Sequence, residues 1–522
     1  MAKPSTHIPF RRNDSLPPMT LALTGNDLTL ENVYEVALDG REVSLAADAR
    51  KRMDASRAVI DRLVESDEVA YGVNTGFGKM ASVRISHDQI RQLQTNLVRS
   101  HAAGVGPLLS EAEVRAIMLL RANAIAKGFS GIRPVAAETL CAMLNRRVQP
   151  VIPSQGSVGA SGDLAPLAHL AQVVIGEGEA VYEGRRMAGG EAMRLAGVAP
   201  IALQAKEGLA LLNGTQAMLA LLSLGLRTAA ILVDTGDVAA ALSLDALRGT
   251  PTAFDPRIAA ARPHPGHATT ARNLARLNRG SEIRESHRSA VKDPRVQDAY
   301  SLRCTPQVHG AVRDALSNVR AALGIELNSA TDNPLVFADT GEVLSGGNFH
   351  GQPLAMAADQ LAVALATLAG VSERRVEQMT NPLTSGLPAF LVKDAGLNSG
   401  FMILQITAAA LASEMKAMAT PHSVDSISTS GNQEDYVSMG MGAARRLQPM
   451  LANLENILAI ELLSACQGIE LLAPLQTGTE ARKAQALVRG ASAFVTEDRS
   501  LAADIASAAA LIASGEFASL LQ

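Results

Sequence analysis

Hydrophobic and polar residues alternate along the chain in two different ways. Between residues 21 and 200, short apolar segments are separated by loops rich in Gly, Pro and Asn, as at 71–78 and 154–166. From residue 206 onward, apolar residues recur at three- and four-residue steps over long stretches, of which 352–379 is the clearest example. This spacing is typical of helices with an apolar face. We therefore expect a mixed, helix-rich part with many loops, followed by long helices.

Long helices with this little polar surface must pack against one another. Segments 401–419 and 443–472 repeat the pattern, so the second half of the chain predicts a helical bundle and the expected fold class is mainly α. We divide the chain into a flexible tail at 1–20, a mixed, helix-rich domain at 21–205 and a helical bundle at 206–522. The apolar surface of the bundle also favours contacts with other subunits.

Composition narrows the class of protein. Apolar residues make up 47% of the 522 positions, aromatic residues only 3%, and tryptophan is absent, which favours an aliphatic core of packed helices. The 47 basic and 51 acidic side chains give a formal net charge of −4, so we expect no nucleic-acid or membrane partner. The longest apolar stretch, 209–233, contains Asn213, Gln216 and Arg227, which argues against a membrane span. Three widely spaced cysteines and an N-terminus without an apolar run predict a cytoplasmic protein.

Candidate chemistry centres on the tripeptide Ala160-Ser161-Gly162. The nitrogen of Gly162 can attack the carbonyl of Ala160 and close a five-membered ring, because no Cβ on glycine obstructs the approach. Loss of two waters, one of which takes the Ser161 hydroxyl, would leave a methylidene-imidazolone (MIO), an electrophile that no ordinary side chain supplies. The same triplet at 513–515 follows an alanine-rich helical stretch and indicates a helix end. Around Ser161, by contrast, closely spaced glycines favour a tight turn.

Residues 156–169, Gly-Ser-Val-Gly-Ala-Ser-Gly-Asp-Leu-Ala-Pro-Leu-Ala-His, resemble the signature of the aromatic amino acid lyases. This family comprises the histidine, phenylalanine and tyrosine ammonia-lyases and related aminomutases, and the resemblance extends over about 25–520. It implies a subunit of the long-helix-bundle (fumarase/aspartase-like) type, with the MIO loop in the smaller N-terminal part. It also implies a homotetramer with shared active sites, and MIO formed from the chain as the only cofactor.

A tyrosine lies in the glycine-rich segment 69–78, Val-Ala-Tyr-Gly-Val-Asn-Thr-Gly-Phe-Gly. Its phenol has an ordinary pKa near ~10, so it can act as a base only where its phenolate is stabilised. The motif match implies that Tyr71 is the catalytic acceptor of the substrate's β-proton. From the residues alone, a half-buried loop tyrosine is the simpler interpretation.

An arginine in 297–304, Gln-Asp-Ala-Tyr-Ser-Leu-Arg-Cys, offers a fork of donors for a carboxylate. The resemblance implies that Arg303 binds the substrate carboxylate, that Tyr300 is a catalytic tyrosine and that Gln297 is a nearby polar contact. The spacing alone would equally suit a solvated or salt-bridged arginine.

Two further segments match the family. Asn213 and the glycine after it interrupt an apolar run, and an amide there can hold a carboxylate or the MIO oxygen. The resemblance implies that Asn213 binds the substrate and grips its carboxylate together with Arg303; from the residues alone, the alternative is a satisfied polar kink in a buried helix. In Gly-Gly-Asn-Phe-His at 346–350, the resemblance places Phe349 near the electrophile.

Substrate preference depends on two markers. Ser100-His101 matches the pair found in family members that act on histidine, whereas tyrosine-selective members have His-Leu and phenylalanine-selective members commonly have Phe-Leu; some tyrosine aminomutase-like members share Ser-His. Residues 432–435 read Asn-Gln-Glu-Asp, where the phenylalanine and tyrosine enzymes have Asn-Gln-Asp. A carboxylate facing an imidazole gains a charge-assisted hydrogen bond, but facing a hydrocarbon ring it would be costly to bury. The resemblance therefore gives His101, Gln433 and Glu434 to the substrate pocket, with Glu434 on the imidazole or handling protons.

These observations lead us to expect the elimination of ammonia from L-histidine to give trans-urocanate. A phenylalanine or tyrosine ammonia-lyase and an aminomutase are the alternatives within the family. Outside it, the alternative is a helical scaffold or binding protein whose site no longer works. We expect no metal site, because only His264 and His267 lie close together and they lack further ligands at suitable spacing.

Overall fold

The computed structural model describes residues 19–66, 70–76, 80, 83–160, 162–289, 293 and 295–521. Helices α1–α22 and strands β1–β9 are numbered in chain order. Up to residue 205 the helices are α1 (Leu30–Tyr34), α2 (Ala47–Glu65), α3 (Ile90–His101), α4 (Glu111–Ala126), α5 (Pro134–Asn145), α6 (Leu164–Val174) and α7 (Gly189–Leu195).

The strands are short and pair into small sheets. They are β1 (Leu21–Leu23), β2 (Val43–Leu45), β3 (Val105–Leu108), β4 (Gln149–Pro150), β5 (Pro153–Gln155), β6 (Glu179–Tyr182), β7 (Arg185–Ala188), β8 (Leu335–Phe337) and β9 (Glu342–Leu344). Strands β1 and β2 pair in parallel, whereas the pairs β3–β5, β4–β6, β6–β7 and β8–β9 are antiparallel. Because β5 leads directly into the segment around Ser161, its pairing with β3 places that segment beside the loop after α3.

After residue 205 the chain is mainly helical, with β8, β9 and several loops between the helices. Its helices are α8 (Glu207–Leu212), α9 (Gln216–Ala246), α10 (Pro256–Ala261), α11 (Pro265–Leu277), α12 (Glu282–Ser286), α13 (Tyr300–Arg303), α14 (Thr305–Glu326), α15 (Gln352–Thr380), α16 (Pro382–Ser385), α17 (Met402–Met418), α18 (Gly440–Arg445), α19 (Leu447–Leu471), α20 (Thr479–Ala491), α21 (Ala502–Ala513) and α22 (Glu516–Ser519). A π-helical segment lies at Glu35–Asp39, and 3₁₀ turns lie at His87–Gln89, Pro251–Phe254, Ala389–Leu391 and Ser430–Asn432.

The long helices α9, α14, α15, α17 and α19 pack side by side as a bundle. Helices α9 and α15 are long and apolar enough to cross a membrane by length and composition, yet most of each lies buried within the chain's own core, as in core helices. The mainly α fold class expected from the sequence is confirmed. The domain boundary near residue 205 stays a prediction, and one hydrophobic core, from Leu23 to Phe517, contains residues from both sides of it.

The backbone N–H groups at the starts of α4 and α9 are satisfied in two different ways. Helix α4 begins with a capping box, in which Ser110 and Glu113 satisfy each other's backbone N–H groups. Thr215, at the start of α9, makes no such side-chain bond. The carboxylate of Asp163 instead accepts a hydrogen bond of 2.8 Å from the nitrogen of Met218 in the first turn of α9. This bond joins the segment around Ser161 to the longest helix of the bundle.

Candidate active site

The turn around Ser161 depends on glycine. Gly159 and Gly162 both have a φ of +68°, a conformation that side chains disfavour. A Cβ on Gly162 would overlap the carbonyl of Gly214, and a Cβ on Gly159 would overlap the hydroxyl of Ser438. Ser161 itself lies outside the described residues, and Ala160 is buried. The described residues on either side thus fit the close backbone approach that ring closure requires.

Asp163 ties this turn to its surroundings with three hydrogen bonds. One carboxylate oxygen bonds to Met218, and the other accepts a hydrogen bond of 3.0 Å from the hydroxyl of Ser157. The backbone nitrogen of Asp163 donates a hydrogen bond of 2.7 Å to the carbonyl of Gly214. Burial raises the pKa of Asp163 to about 7, and the hydrogen bonds from Met218 and Ser157 to the carboxylate oppose the rise. Sequence reasoning noted Asp163 only as part of the motif. An acidic residue between a glycine turn and an apolar segment was the available signal, since such residues cap helices.

Asn213 is buried beside the turn, and its amide is already partly committed. Its Nδ2 donates to Asp332 Oδ1 and to the carbonyl of Asn333, each at 3.2 Å. Its Oδ1 finds no donor among the described residues. Because both hydrogens of the amide are used within the chain, the atom left over is an acceptor. It suits an N–H donor such as an amine, whereas gripping a carboxylate would require one of the two existing bonds to be exchanged.

The loop that carries Tyr71 lies against the helix before Asn213. Two hydrogen bonds lie within the loop: the nitrogen of Ala70 donates to Asn74 Oδ1 at 2.9 Å, and the nitrogen of Gly72 donates to Thr75 Oγ1 at 3.2 Å. Gly72 approaches Leu209 of α8 so closely that a Cβ would meet its side chain. Tyr71 is half-buried and packs on the core. Among the described residues of this loop, 70–76, Tyr71 therefore lies next to a close contact with α8, the helix leading into Asn213.

His101 is the last residue of α3, and its contacts define its tautomer. Nδ1 lies 2.9 Å from the carbonyl of Leu97, so Nδ1 carries the proton. Burial lowers the pKa of the His101 imidazole, and the carboxylate of Glu434 partly offsets this by raising it. A neutral ring protonated at Nδ1 leaves Nε2 as an acceptor. Nearby, His169 Nε2 accepts 3.1 Å from the nitrogen of Gly104, a role for which the sequence carried no separate signal.

The segment that carries Gln433 and Glu434 is fastened to the turn around Ser161. The nitrogen of Met439 donates 2.8 Å to the carbonyl of Val158, and the hydroxyl of Ser438 donates 3.0 Å to the carbonyl of Gly159. The carboxylate of Glu434 accepts a hydrogen bond of 2.6 Å from the hydroxyl of Thr429, while Gln433 is exposed. Within one chain, the carboxylate of Glu434 raises the pKa of the His101 imidazole against the lowering by burial.

Phe349 lies in a loop that also contacts the turn. The nitrogen of Gly351 donates 3.3 Å to the carbonyl of Gly159, and the nitrogen of Gly346 donates 2.7 Å to Asn333 Oδ1. Phe349, between these anchors, is half-buried. The place of Phe349 beside the electrophile stays a prediction.

Gln297, Tyr300 and Arg303 lie elsewhere in the chain. Arg303 stacks over the Tyr300 ring, with Cζ 4.6 Å from the ring centroid, and its Nε donates 3.1 Å to the carbonyl of Asp298. The Asp298 carboxylate accepts 2.7 Å from the nitrogen of Thr250, just beyond the end of α9.

Asn213, by contrast, lies just before the start of α9. A helix of 31 residues is about 45 Å long. Arg303 and Asn213 of one chain are therefore too far apart to hold the same amino acid. Tyr300 is 71% exposed and Gln297 is also exposed, so this group faces away from the chain that carries it.

Three comparisons with known proteins extend over most of the chain. The model of the family described as aromatic amino acid lyase matches residues 28–490. A histidine ammonia-lyase from Koribacter versatilis (strain Ellin345) is 56% identical over 511 residues, which cover 95% of this chain and 98% of the relative. The crystal structure of histidine ammonia-lyase from Trypanosoma cruzi is similar with a TM-score of 0.89 and 44% identity, covering 96% of this chain and 95% of that one. A tyrosine aminomutase from Streptomyces globisporus has a TM-score of 0.91 and 39% identity, covering 96% and 98%.

Proposed function

The chain belongs to the aromatic amino acid lyase family, and from this premise we propose that it eliminates ammonia from L-histidine to give trans-urocanate. The family expected from the motif around Ser161 is confirmed. The histidine ammonia-lyase of Koribacter versatilis, at 56% identity, supports histidine as the substrate.

The observation that carries the choice of histidine is the neutral imidazole of His101, whose pKa the carboxylate of Glu434 influences. A neutral His101 presents Nε2 as an acceptor, and Glu434 adds a carboxylate nearby. An imidazole ring offers an N–H to such acceptors, whereas a phenyl ring offers none, so neither His101 nor Glu434 would gain a hydrogen bond from it. A site built to hydrogen-bond its substrate rejects an analogue without the donor by large factors. We assign the imidazole to His101 and Glu434, with Gln433 as a further polar contact.

The chemistry requires an electrophile at the amine, and the residues around Ser161 fit one. MIO formed from Ala160-Ser161-Gly162 would supply a carbon that takes up the amine and makes it a good leaving group. Tyr71 then removes the β-proton of the substrate. Asn213 Oδ1, which lacks a donor among the described residues, accepts an N–H of the substrate amine. Phe349 lines the pocket beside the turn.

The carboxylate of the substrate needs an accessible cation, and among the described residues the cations beside Asn213, Arg121 and Lys206, are buried and already bonded within the chain. We assign this role to Arg303 of the partner subunit, with Tyr300 and Gln297 of the partner subunit beside it. The support is the length of α9, which separates Arg303 from Asn213 in one chain, and the exposure of Tyr300. Sites shared between subunits of a homotetramer satisfy both observations. Our proposal places this enzyme in the cytoplasm, with an amino acid as its substrate and without a nucleic-acid or membrane partner.

An aminomutase acting on an aromatic amino acid is the second candidate. Its support is the similarity to the tyrosine aminomutase from Streptomyces globisporus, at a TM-score of 0.91. An aminomutase returns the nitrogen to the neighbouring carbon, so it consumes its substrate without releasing stoichiometric ammonia.

The test is a competition between equal amounts of L-histidine, L-phenylalanine and L-tyrosine with the purified protein. Loss of each amino acid and release of ammonia are followed together. We expect selective loss of histidine with stoichiometric ammonia, and no turnover by a folded Ser161→Ala variant. Loss of phenylalanine or tyrosine instead would overturn the assignment of the substrate. Loss without ammonia would favour the aminomutase, and turnover by Ser161→Ala would overturn the MIO chemistry.

A further inference from the structure

A cluster of three charged side chains is buried behind the turn around Ser161. The ammonium of Lys206 donates 2.8 Å to Asp332 Oδ2, and both side chains are inaccessible to solvent. Arg121 is equally buried, and its NH1 donates 2.7 Å to the carbonyl of Asn213 and 2.8 Å to Gln216 Oε1. These residues come from α4, from the segment before α8 and from the loop after α14, so folding brings them together from distant parts of the chain.

The cluster contains two cations and one carboxylate, all in the interior. Burial lowers the pKa of Lys206, although Asp332 opposes the change, and it lowers the pKa of Arg121 to about 10. Arg121 Nε finds no acceptor among the described residues. Well-packed apolar side chains often stabilise a protein as much as a buried ion pair does. Stability alone therefore gives little reason for a second buried cation at this place.

The cluster holds Asn213 from two sides. Arg121 fixes its carbonyl oxygen, and Asp332 fixes its side-chain nitrogen through a bond of 3.2 Å. Lys206 in turn fixes Asp332. Both the backbone and the amide of Asn213 are thus anchored to buried charge, through charge-assisted hydrogen bonds that are stronger than neutral ones.

Anchoring Asn213 also anchors the turn. Gly214, the next residue, accepts the backbone N–H of Asp163 at 2.7 Å and forms a bridge with Gly162. The space is so restricted that a Cβ on Gly162 would overlap the Gly214 carbonyl. A displacement of Asn213–Gly214 therefore moves the Gly162–Asp163 peptide, which contains the nitrogen neighbouring the one that closes the ring.

We infer that Arg121, Lys206 and Asp332 are positioning residues for ring closure at Ala160-Ser161-Gly162, acting through Asn213 and Gly214. The inference rests on the proposed function, which requires the ring. In the step they assist, the nitrogen of Gly162 bonds to the carbonyl carbon of Ala160. The oxygen of that carbonyl leaves as water with the amide protons of Ser161 and Gly162. The Ser161 hydroxyl leaves as a second water with the Ser161 α-proton, so no oxidant or reductant is needed.

The test measures ring formation directly by mass. The full-length chain is synthesised in a cell-free system, and the fraction of chains lighter by two waters is followed over time by intact-mass spectrometry. Arg121→Met removes both donors of NH1, whereas Arg121→Lys retains a cation with donors. The double variant Lys206→Met/Asp332→Asn removes the ion pair without leaving either of its charges unpaired. Arg115→Met is the matched control, since Arg115 is as buried but donates to the carbonyls of Val36 and Leu144.

We expect ring formation at least about tenfold slower in Arg121→Met and in the double variant, because each loses a charge-assisted anchor of Asn213. Arg121→Lys should recover most of the rate, and Arg115→Met should form the ring at the parent rate even though it unfolds at a lower temperature. Thermal unfolding shows which variants are folded. If Arg121→Met does not fold, the rate of ring formation in the double variant tests the inference instead.

Parent-like ring formation in folded Arg121→Met and double variants would overturn the inference and leave the proposed function intact. Slowing by Arg115→Met equal to that by Arg121→Met would also overturn it, since any buried cation would then matter equally. A parent chain that stays at its full mass would overturn the proposed function itself, and this inference with it.

Discussion

The carboxylate of Asp163 accepts a hydrogen bond of 2.8 Å from the backbone nitrogen of Met218, and so caps a helix that begins more than fifty residues later. Thr215, the residue at the cap position of α9, makes no side-chain cap bond. The turn around Ser161 and the 31-residue helix α9 therefore depend on each other. This relationship explains how a glycine-rich turn, which has little packing of its own, is held against the rigid bundle.

This carboxyl makes stability depend on pH. Burial raises the pKa of Asp163 to about 7, well above its ordinary value of 3.8. Between about pH 4 and 7, the folded chain holds a proton that the unfolded chain has released, so the free energy of unfolding falls as the pH rises through this window. In Asp163→Asn, which cannot titrate, we expect the fall between pH 5 and pH 8 to shrink by about 2–4 kcal/mol. Urea unfolding at the two pH values measures it.

Asp255→Asn is the control for that experiment. Hydrogen bonds from Arg257 lower the pKa of the partly exposed Asp255 carboxyl to about 2, so it stays ionised throughout the window. Its replacement should leave the pH dependence unchanged. An Asp163→Asn chain that loses as much stability as the parent between pH 5 and pH 8 would contradict the role of Asp163.

Two effects of replacing Gly159 can be measured separately: the strain of its backbone conformation and the contact of a new Cβ with Ser438. Gly159→Ala adds a Cβ that overlaps the Ser438 hydroxyl at a φ of +68°, whereas Gly184→Ala adds one at a φ of +74° with no atom within 4 Å. We expect Gly184→Ala to cost about 1–2 kcal/mol of stability from strain alone. Gly159→Ala should cost more and should also reduce the fraction of chains that have lost two waters. Thermal unfolding and intact mass measure the two effects, and equal losses in the two variants would show that the contact with Ser438 is unimportant.

Apolar periodicity predicted the long helices because it is a local property. The stretch 352–379 corresponds to Gln352–Thr380, and 401–419 corresponds to Met402–Met418. The stretch 443–472 was predicted as one helix, but the structure divides it into α18 and α19 at Arg446. Arg446 donates to Asp359 and to the carbonyl of Thr420, contacts with residues distant in sequence. The apolar pattern alone could not place this break.

Sequence patterns are local, so they predicted some parts of the candidate site and missed those that depend on contacts between distant residues. The turn around Ser161 has a local motif, so its residues could be named from the sequence. The bond between Lys206 and Asp332 joins residues 126 positions apart, and neither has a distinctive neighbourhood in the sequence. The separation of Arg303 from Asn213 was equally hidden, because it follows from the length of α9 and from the contact between Asp298 and Thr250.

Glu434 should control the preference for histidine. Glu434→Gln keeps the shape of the side chain but removes its charge, and a hydrogen bond to a charged group is worth about 1.5–3 kcal/mol. We expect kcat/KM for L-histidine to fall about 10- to 150-fold, without a comparable fall for L-phenylalanine or L-tyrosine. Steady-state kinetics with the three amino acids measures the change. Glu285→Gln, which alters an exposed carboxylate paired with Arg288, should leave all three values unchanged. An unaltered preference for histidine in Glu434→Gln would show that Glu434 does not contact the imidazole.

The distance between Arg303 and Asn213 predicts complementation between two inactive variants. Tyr71→Phe removes the proposed base, and Arg303→Ala removes the proposed carboxylate anchor, so each homotetramer should lose activity. If Tyr71 of one subunit works with Arg303 of the partner subunit, randomly mixed tetramers will contain intact sites, about a quarter of the total. Co-expression with two different affinity tags, purification through both tags and an assay of ammonia release would detect them. Two copies of the same variant with different tags serve as the control and should stay inactive. A mixed tetramer without activity would mean that both residues serve a site within one chain, which a helix of about 45 Å between their anchoring contacts does not allow.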